Sequence, residues 1–79
     1  MNIHVIYTEA EMYLSKKSYP SWRDIQDEYH DYKASLGPWG AEETEAYLKD
    51  EYPDLLPSAS KQIESFIAST NLVLLLTFS

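Results

Sequence analysis

The stretch SWRDIQDEYHDYKASL, residues 21–36, carries the clearest periodicity in the chain and decides how its neighbours are read. On a wheel of about 100° per residue, Trp22, Ile25, Tyr29, Tyr32 and Leu36 gather within an arc of about 80°, and Asp24, Asp27, Glu28 and Asp31 within another of about 100°. Arg23, Gln26, His30 and Lys33 take the third side. Ser21 is a good N-cap and Gly37-Pro38 a good stop. The pattern predicts one long helix that separates an apolar stripe from an acidic one, with Trp22, Tyr29 and Tyr32 in the core.

Working outward, Ile3, Val5 and Tyr7 alternate with Asn2, His4 and Ile6, which predicts a strand over residues 2–7. Thr8-Glu9-Ala10-Glu11 fits a capping box, so a helix is expected from Thr8 to about Lys17, ended by Pro20. On the other side, Gly37-Pro38-Trp39-Gly40 reads as a turn. Ala41 to Glu51 reads as a third helix closed by Tyr52-Pro53, with Glu42, Glu43 and Asp50 on one side of it. Ser58 or Ser60 can cap a fourth helix that carries Ala59, Ile63, Phe66 and Ile67. Asn71 suits a left-handed C-cap. Leu72 to Phe78 has the continuity of a strand buried on both faces.

The expected fold is therefore α+β and α-rich, in the order β-α-α-α-α-β, with the two terminal strands paired and helices packed on them. The 79 residues allow a single domain, residues 1–79. An isolated pair of strands is marginal in water. Either the helices wrap it, or two chains form a homodimer whose edges join into a four-stranded sheet.

The net charge of −7 is not spread evenly. Between Ser21 and Asp54 there are ten acids against three bases, and the flanks are neutral in sum. With 44% hydrophobic and 14% aromatic residues, the chain is too apolar for a disordered acidic tail. Cysteine is absent, which removes disulfides and thiolate metal sites and suits a reducing cytoplasm. The first residues form no secretory signal, and Leu72 to Leu76 is far short of the roughly 20 residues that cross a bilayer. The expected location is the cytoplasm, the host's if the protein is viral, with no membrane role.

Few residues here could do chemistry. There is no HExxH or EF-hand spacing, no G-x-S-x-G elbow, and no glycine-rich phosphate loop, since Gly37 and Gly40 are the only glycines. No catalytic residue, metal ligand or cofactor is expected, and the chain is not read as an enzyme. Direct binding to nucleic acid is disfavoured, because six bases in a chain of net charge −7 cannot drive counterion release.

The acidic stripe is the informative feature. Its four carboxylates span roughly 10 Å of helix, a mean interval of about 3.5 Å. Phosphates on one strand of a duplex recur at about the same interval along its axis. Most charge runs are only solvated faces. This one lacks the interleaved lysines that stabilise a merely soluble helix, and more acids follow on the next helix. The expected partner surface is Asp24, Asp27, Glu28, Asp31, Glu42, Glu43 and Asp50, with Trp39 as an aromatic anchor. The expected function is a small acidic interaction protein that inhibits a basic, nucleic-acid-binding protein by imitating DNA or RNA. Phages and mobile elements use such proteins against CRISPR or restriction machinery. The alternative is a non-enzymatic adaptor or antitoxin-like regulator that binds through its apolar C-terminal strand.

Overall fold

Alternation of apolar side chains over residues 3–7 builds the first strand, and its position explains much of the architecture. The computed structural model describes residues 2–78, and β1 (Ile3–Thr8) lies inside a four-stranded antiparallel sheet of order β3-β1-β2-β4. The other strands are β2 (Met12–Ser15), β3 (Tyr32–Trp39) and β4 (Val73–Leu75); the helices are α1 (Trp22–Glu28), α2 (Ala41–Glu51) and α3 (Ala59–Ala68). The α+β class and the bounds of α2 follow the sequence pattern, and α3 follows Ser58 as its N-cap. The order β-α-α-α-α-β does not. It is replaced by β-β-α-β-α-α-β, with three helices and four strands among the described residues.

The first correction concerns residues 8–17. Thr8 Oγ1 accepts from the Glu11 amide at 3.1 Å, as a capping threonine would, but the Thr8 amide donates to the Glu11 carbonyl at 2.9 Å. The same two residues thus close a hairpin. Beyond it, Met12 and Leu14 alternate with Tyr13 and Ser15 and pair with Tyr7 through His4.

The second correction concerns residues 21–37. The helix runs only from Trp22 to Glu28, and Tyr29 is already extended. The Tyr32 amide bonds the Tyr29 carbonyl at 3.0 Å, and residues 32–39 then pair with β1. Packing overrides local propensity here, because β1 is buried on both faces and needs a strand on each side. The apolar stripe therefore splits. Leu36 stands opposite Val5 and packs on the main core, whereas Ile25 is buried outside that core. Trp22 is 56% exposed, and Tyr29 and Tyr32 are half-buried.

The third correction exchanges the roles of the two terminal strands. They do not pair: β1 bonds β2 and β3, and β4 bonds β2. The strand covered on both faces is β1, with Ile3 and Val5 on one face and His4 and Ile6 on the other, all buried. β4 is an edge strand of three residues, and Leu75 within it is 41% exposed. A four-stranded sheet thus forms within one chain, with no second copy required.

Side-chain alternation divides the molecule into layers. Ile3, Val5, Met12 and Leu14 face α2 and α3, where Leu48, Leu55, Ala59, Ile63 and Phe66 complete the core. Helix α1 packs on β3 at the opposite face, and Ile25 shares a hollow there with His4 and Ser35. The end of α3 is held by a long-range cap rather than by Asn71, since no non-glycine residue has positive φ among the described residues. Lys16 Nζ donates to the carbonyls of Phe66 at 2.8 Å and Ser69 at 2.7 Å, and lies 4.8 Å from the Phe66 ring centre. A cation at a helix C-terminus opposes the negative end of the dipole. Lys16→Met keeps the aliphatic stem and loses both charge-assisted bonds. A cost of about 1–3 kcal/mol is expected from urea unfolding.

Candidate functional site

The eight residues expected at one surface are divided by the sheet. Asp24, Asp27, Glu28 and Asp31 lie on or just after α1, while Glu42, Glu43 and Asp50 lie on α2 at the opposite face. Trp39 ends β3 on the α2 side. It is half-buried, with its ring 5.2 Å from that of Tyr47, and so it packs against α2 instead of projecting from a turn. Glu42, Glu43 and Asp50 thus share the exposed surface of α2, Trp39 packs on Tyr47 of the same helix, and the other four lie across the sheet.

Two of the α1 acids are also occupied locally. Asp24 Oδ2 accepts from the Ser21 amide at 3.1 Å and from Ser21 Oγ at 3.0 Å, which closes the start of α1. Glu28 bonds Lys17 Nζ at 2.8 Å through one oxygen and accepts from the Tyr19 hydroxyl at 3.0 Å through the other. Burial opposes the Glu28 charge, but the Lys17 and Tyr19 donors outweigh it and hold the carboxyl below the usual range. Asp31 lies in the turn after α1, where its carbonyl takes the Glu9 amide at 3.2 Å. With α1 ending at Glu28, Asp31 does not extend the helical stripe, and the phosphate-like spacing of four carboxylates is lost.

The α2 side is different. Residues 41–68, which hold both α2 and α3, contain seven acids against Lys49 and Lys61. Thr44 and Leu48 are buried toward the sheet, so Glu42, Glu43 and Asp50 stay exposed on the outer surface. Within this layer the ion pair among the described residues is Glu45–Lys49, at 3.0 Å. Glu43 reaches the Gly40 amide at 3.5 Å, a weak closure of the helix start. Glu42, Glu45 and Glu64 rim a shallow groove of about 260 Å³ between α2 and α3, floored by Ala41, Ile63 and Ile67. Glu45 and Glu64 were not among the expected residues; the i, i+3 spacing of Glu42 and Glu45 could have indicated the first, but nothing in the spacing marks Glu64.

No protein-family model matches the chain, and no curated protein or solved structure matches it either. Function must therefore be argued from the surface itself.

Two polar clusters escaped the sequence reading. The hydroxyls of Tyr7, Tyr47 and Tyr52 meet on the α2 side: Tyr7 bonds Tyr47, and Tyr52 donates to Tyr7 at 3.1 Å. Burial and then these hydroxyl neighbours push the Tyr7 phenol well above its ordinary range, so Tyr7 stays protonated and the cluster acts as a structural clasp. Forty residues separate Tyr7 from Tyr47, and no local pattern signals their meeting. On the opposite face, buried Ser15 bonds the Tyr19 hydroxyl at 2.8 Å, which joins Ser15, Tyr19, Glu28 and Lys17 in one chain of hydrogen bonds. His4 is buried with its ring edge-on to Tyr19, 5.0 Å between centres, and burial lowers its pKa from the ordinary 6.5. Among the described residues no three His, Asp or Glu side chains are placed to hold a metal ion, and no helix is long and apolar enough to cross a membrane.

These shifts set a pH dependence of stability. The folded state lowers the pKa of both His4 and Glu28, so each contributes stability above its unfolded pKa that is lost as pH falls. Thermal unfolding followed by circular dichroism is expected to show Tm constant from neutrality up to the ordinary tyrosine range, above which the raised pKa of Tyr7 makes it fall. It should decline in two phases, first below the unfolded His value and then below the carboxylate range. His4→Gln should remove the upper phase and Glu28→Gln the lower.

Proposed function

We propose that the chain is a non-enzymatic, acidic interaction protein that occupies the nucleic-acid-binding surface of a basic protein, and that α2 carries the contact. The observation that supports this reading is the charge of the α2–α3 layer: six carboxylates against two lysines, on a helix pair whose apolar sides are already used by the sheet. Like charges held this close cost stability, and an arginine- or lysine-rich groove would relieve that cost. Trp39 and Tyr47 in the same layer favour arginine, whose guanidinium both pairs with carboxylates and stacks on rings. The α1 acids contribute only to the overall field.

Restriction and CRISPR effectors are the partners of choice, by analogy with other compact acidic inhibitors. The test is displacement of a fluorescent duplex from such an effector, read by anisotropy at low and at high salt. Displacement is expected at low salt, with apparent affinity falling about tenfold or more between 50 and 300 mM salt. Displacement that ignores salt would contradict a charge-driven contact, as would none from any effector of either class.

A second reading has one observation in its favour. Leu56, Leu72, Leu75 and Phe78 are all exposed near the β4 edge, so an adaptor role through the C-terminal strand has an apolar surface to use. There, partner binding would barely respond to ionic strength.

A further inference from the structure

The hydrogen-bond pattern of β4 defines what its open side can accept. Lys16 donates to the Leu72 carbonyl at 2.9 Å and Leu76 donates to the Met12 carbonyl at 3.0 Å. With the register Ser15↔Val73, Leu14↔Leu74 and Tyr13↔Leu75, the backbone groups of Leu72, Leu74 and Leu76 face β2. Those of Val73 and Leu75 therefore face outward. The outward groups of the next residue in this series, Thr77, are already used: its carbonyl takes the Leu56 amide at 3.2 Å and the Gln62 side chain at 3.0 Å, and its amide bonds Gln62 Oε1 at 3.1 Å. What remains open is a short segment with two donors and two acceptors, at Val73 and Leu75.

We propose that this segment pairs with the same segment of a second copy, antiparallel, about a two-fold axis through Leu74. In that register Val73 stands opposite the partner's Leu75 and Leu75 opposite the partner's Val73. All four open groups are then satisfied by the same four on the other chain, and two sheets become one of eight strands. Shifting the register by two residues opposes Leu75 to Asn71 and leaves groups unpaired, so the segment is self-complementary in one register only. The loop at Leu56, which closes the edge at Thr77, stops the pairing at that point. It also brings Leu56 and the partner's Leu72 to the same place; these are the two most exposed leucines, at 62% and 50%.

Charge favours a second copy as the occupant. Residues 65–78 contain no charged side chain, in a protein of net charge −7. Two acidic copies can approach along this edge without opposing their α2 surfaces, whereas most other approaches would place carboxylates against carboxylates. Edge strands that are not meant to pair are often very short or carry lysine, proline or a bulge; β4 has none of the last three, and its three residues limit the pairing to the four groups at Val73 and Leu75. The pairing is independent of which protein α2 meets.

Sedimentation equilibrium of the full chain tests the proposal, together with amide exchange followed by NMR. The mass is expected to rise from 9.2 kDa toward twice that value as concentration increases from about 5 to 500 μM. Over the same range the Val73 and Leu75 amides should slow in exchange, with other amides unchanged. Leu75→Lys should lower the association constant at least about tenfold. Val73→Pro should do the same, since it removes an outward amide that β2 does not use. Far-UV circular dichroism confirms that each variant is folded, and the exchange data on wild type stand whether or not they are. A constant mass would overturn the proposal, and so would a dimer that persists in both folded variants. Slowed exchange of these two amides by an added extended peptide, at monomeric mass, would assign the edge to a foreign strand and overturn it equally.

Discussion

Gly37→Ala is expected to cost about 3 kcal/mol or more, enough to leave much of so small a domain unfolded near 37 °C. Gly37 has φ of 103°, a region that side-chain-bearing residues rarely adopt, and a Cβ built there falls 2.6 Å from the Ile3 carbonyl oxygen. That oxygen belongs to the backbone of the central strand and cannot move aside without disturbing the register on both flanks. The close approach lies at the irregularity between Ile3↔Trp39 and Val5↔Leu36, which lets β3 carry Trp39 round to the start of α2. Gly40→Ala is the matched control: the nearest atom to its added carbon is Glu43 Oε1 at 3.7 Å, and its φ is −72°. Its cost should stay within about 1 kcal/mol. Urea unfolding of the two variants side by side measures the difference, and equal midpoints would contradict the β1–β3 register.

Charge reversal on the two faces is expected to separate by about two orders of magnitude in duplex displacement. Glu42→Lys/Asp50→Lys places two lysines on the outer side of α2, neither at a residue that a hydrogen bond or ion pair holds among the described residues. It should weaken displacement about 100-fold or more at low salt. Asp27→Lys/Asp31→Lys alters the net charge by the same amount on the α1 face and should change it about threefold or less. Because the two variants have equal net charge, the comparison isolates the local surface from the long-range field. Equal losses in both would mean that only net charge matters, and a larger loss in the α1 variant would move the contact to that face. Asp24 and Glu28 are unsuitable for this purpose, since one closes a helix start and the other holds Lys17 and Tyr19.

What was legible in the sequence was the part encoded locally. Ile3 to Tyr7 alternate and form a strand; Ala41 to Glu51 and Ala59 to Ala68 carry their own stops and caps and form helices. Three expectations differ from the structure. The exchange of the terminal strands' roles follows from the other two, and those two, over residues 8–17 and 21–37, arise because their local signals serve two structures equally. Thr8 and Glu11 have the spacing of a capping box and also of a tight hairpin turn, and only the fit of Met12 and Leu14 onto the core selects the hairpin. Residues 29–36 keep a helical period, yet their strand pairing satisfies the open edge of β1, a demand that arises 24 or more residues away and leaves no local trace. The candidate surface inherited the same division. Glu42, Glu43 and Asp50 share the exposed side of α2 as their spacing implies, while the union of these with the α1 acids required a helix that continues past Glu28.

The path of residues 29–39 therefore governs which carboxylates can share a partner, and backbone NMR of the unlabelled partner-free chain reads it directly. Pairing with β1 predicts strong sequential Hα–HN contacts from Tyr32 to Trp39, cross-strand contacts from Val5 to Leu36 and from Tyr7 to Ala34, and slow exchange of the β1 amides. An unbroken series of amide–amide contacts from Ile25 through Leu36, with none to Val5, would restore the long acidic helix and contradict the separation of the two charged faces.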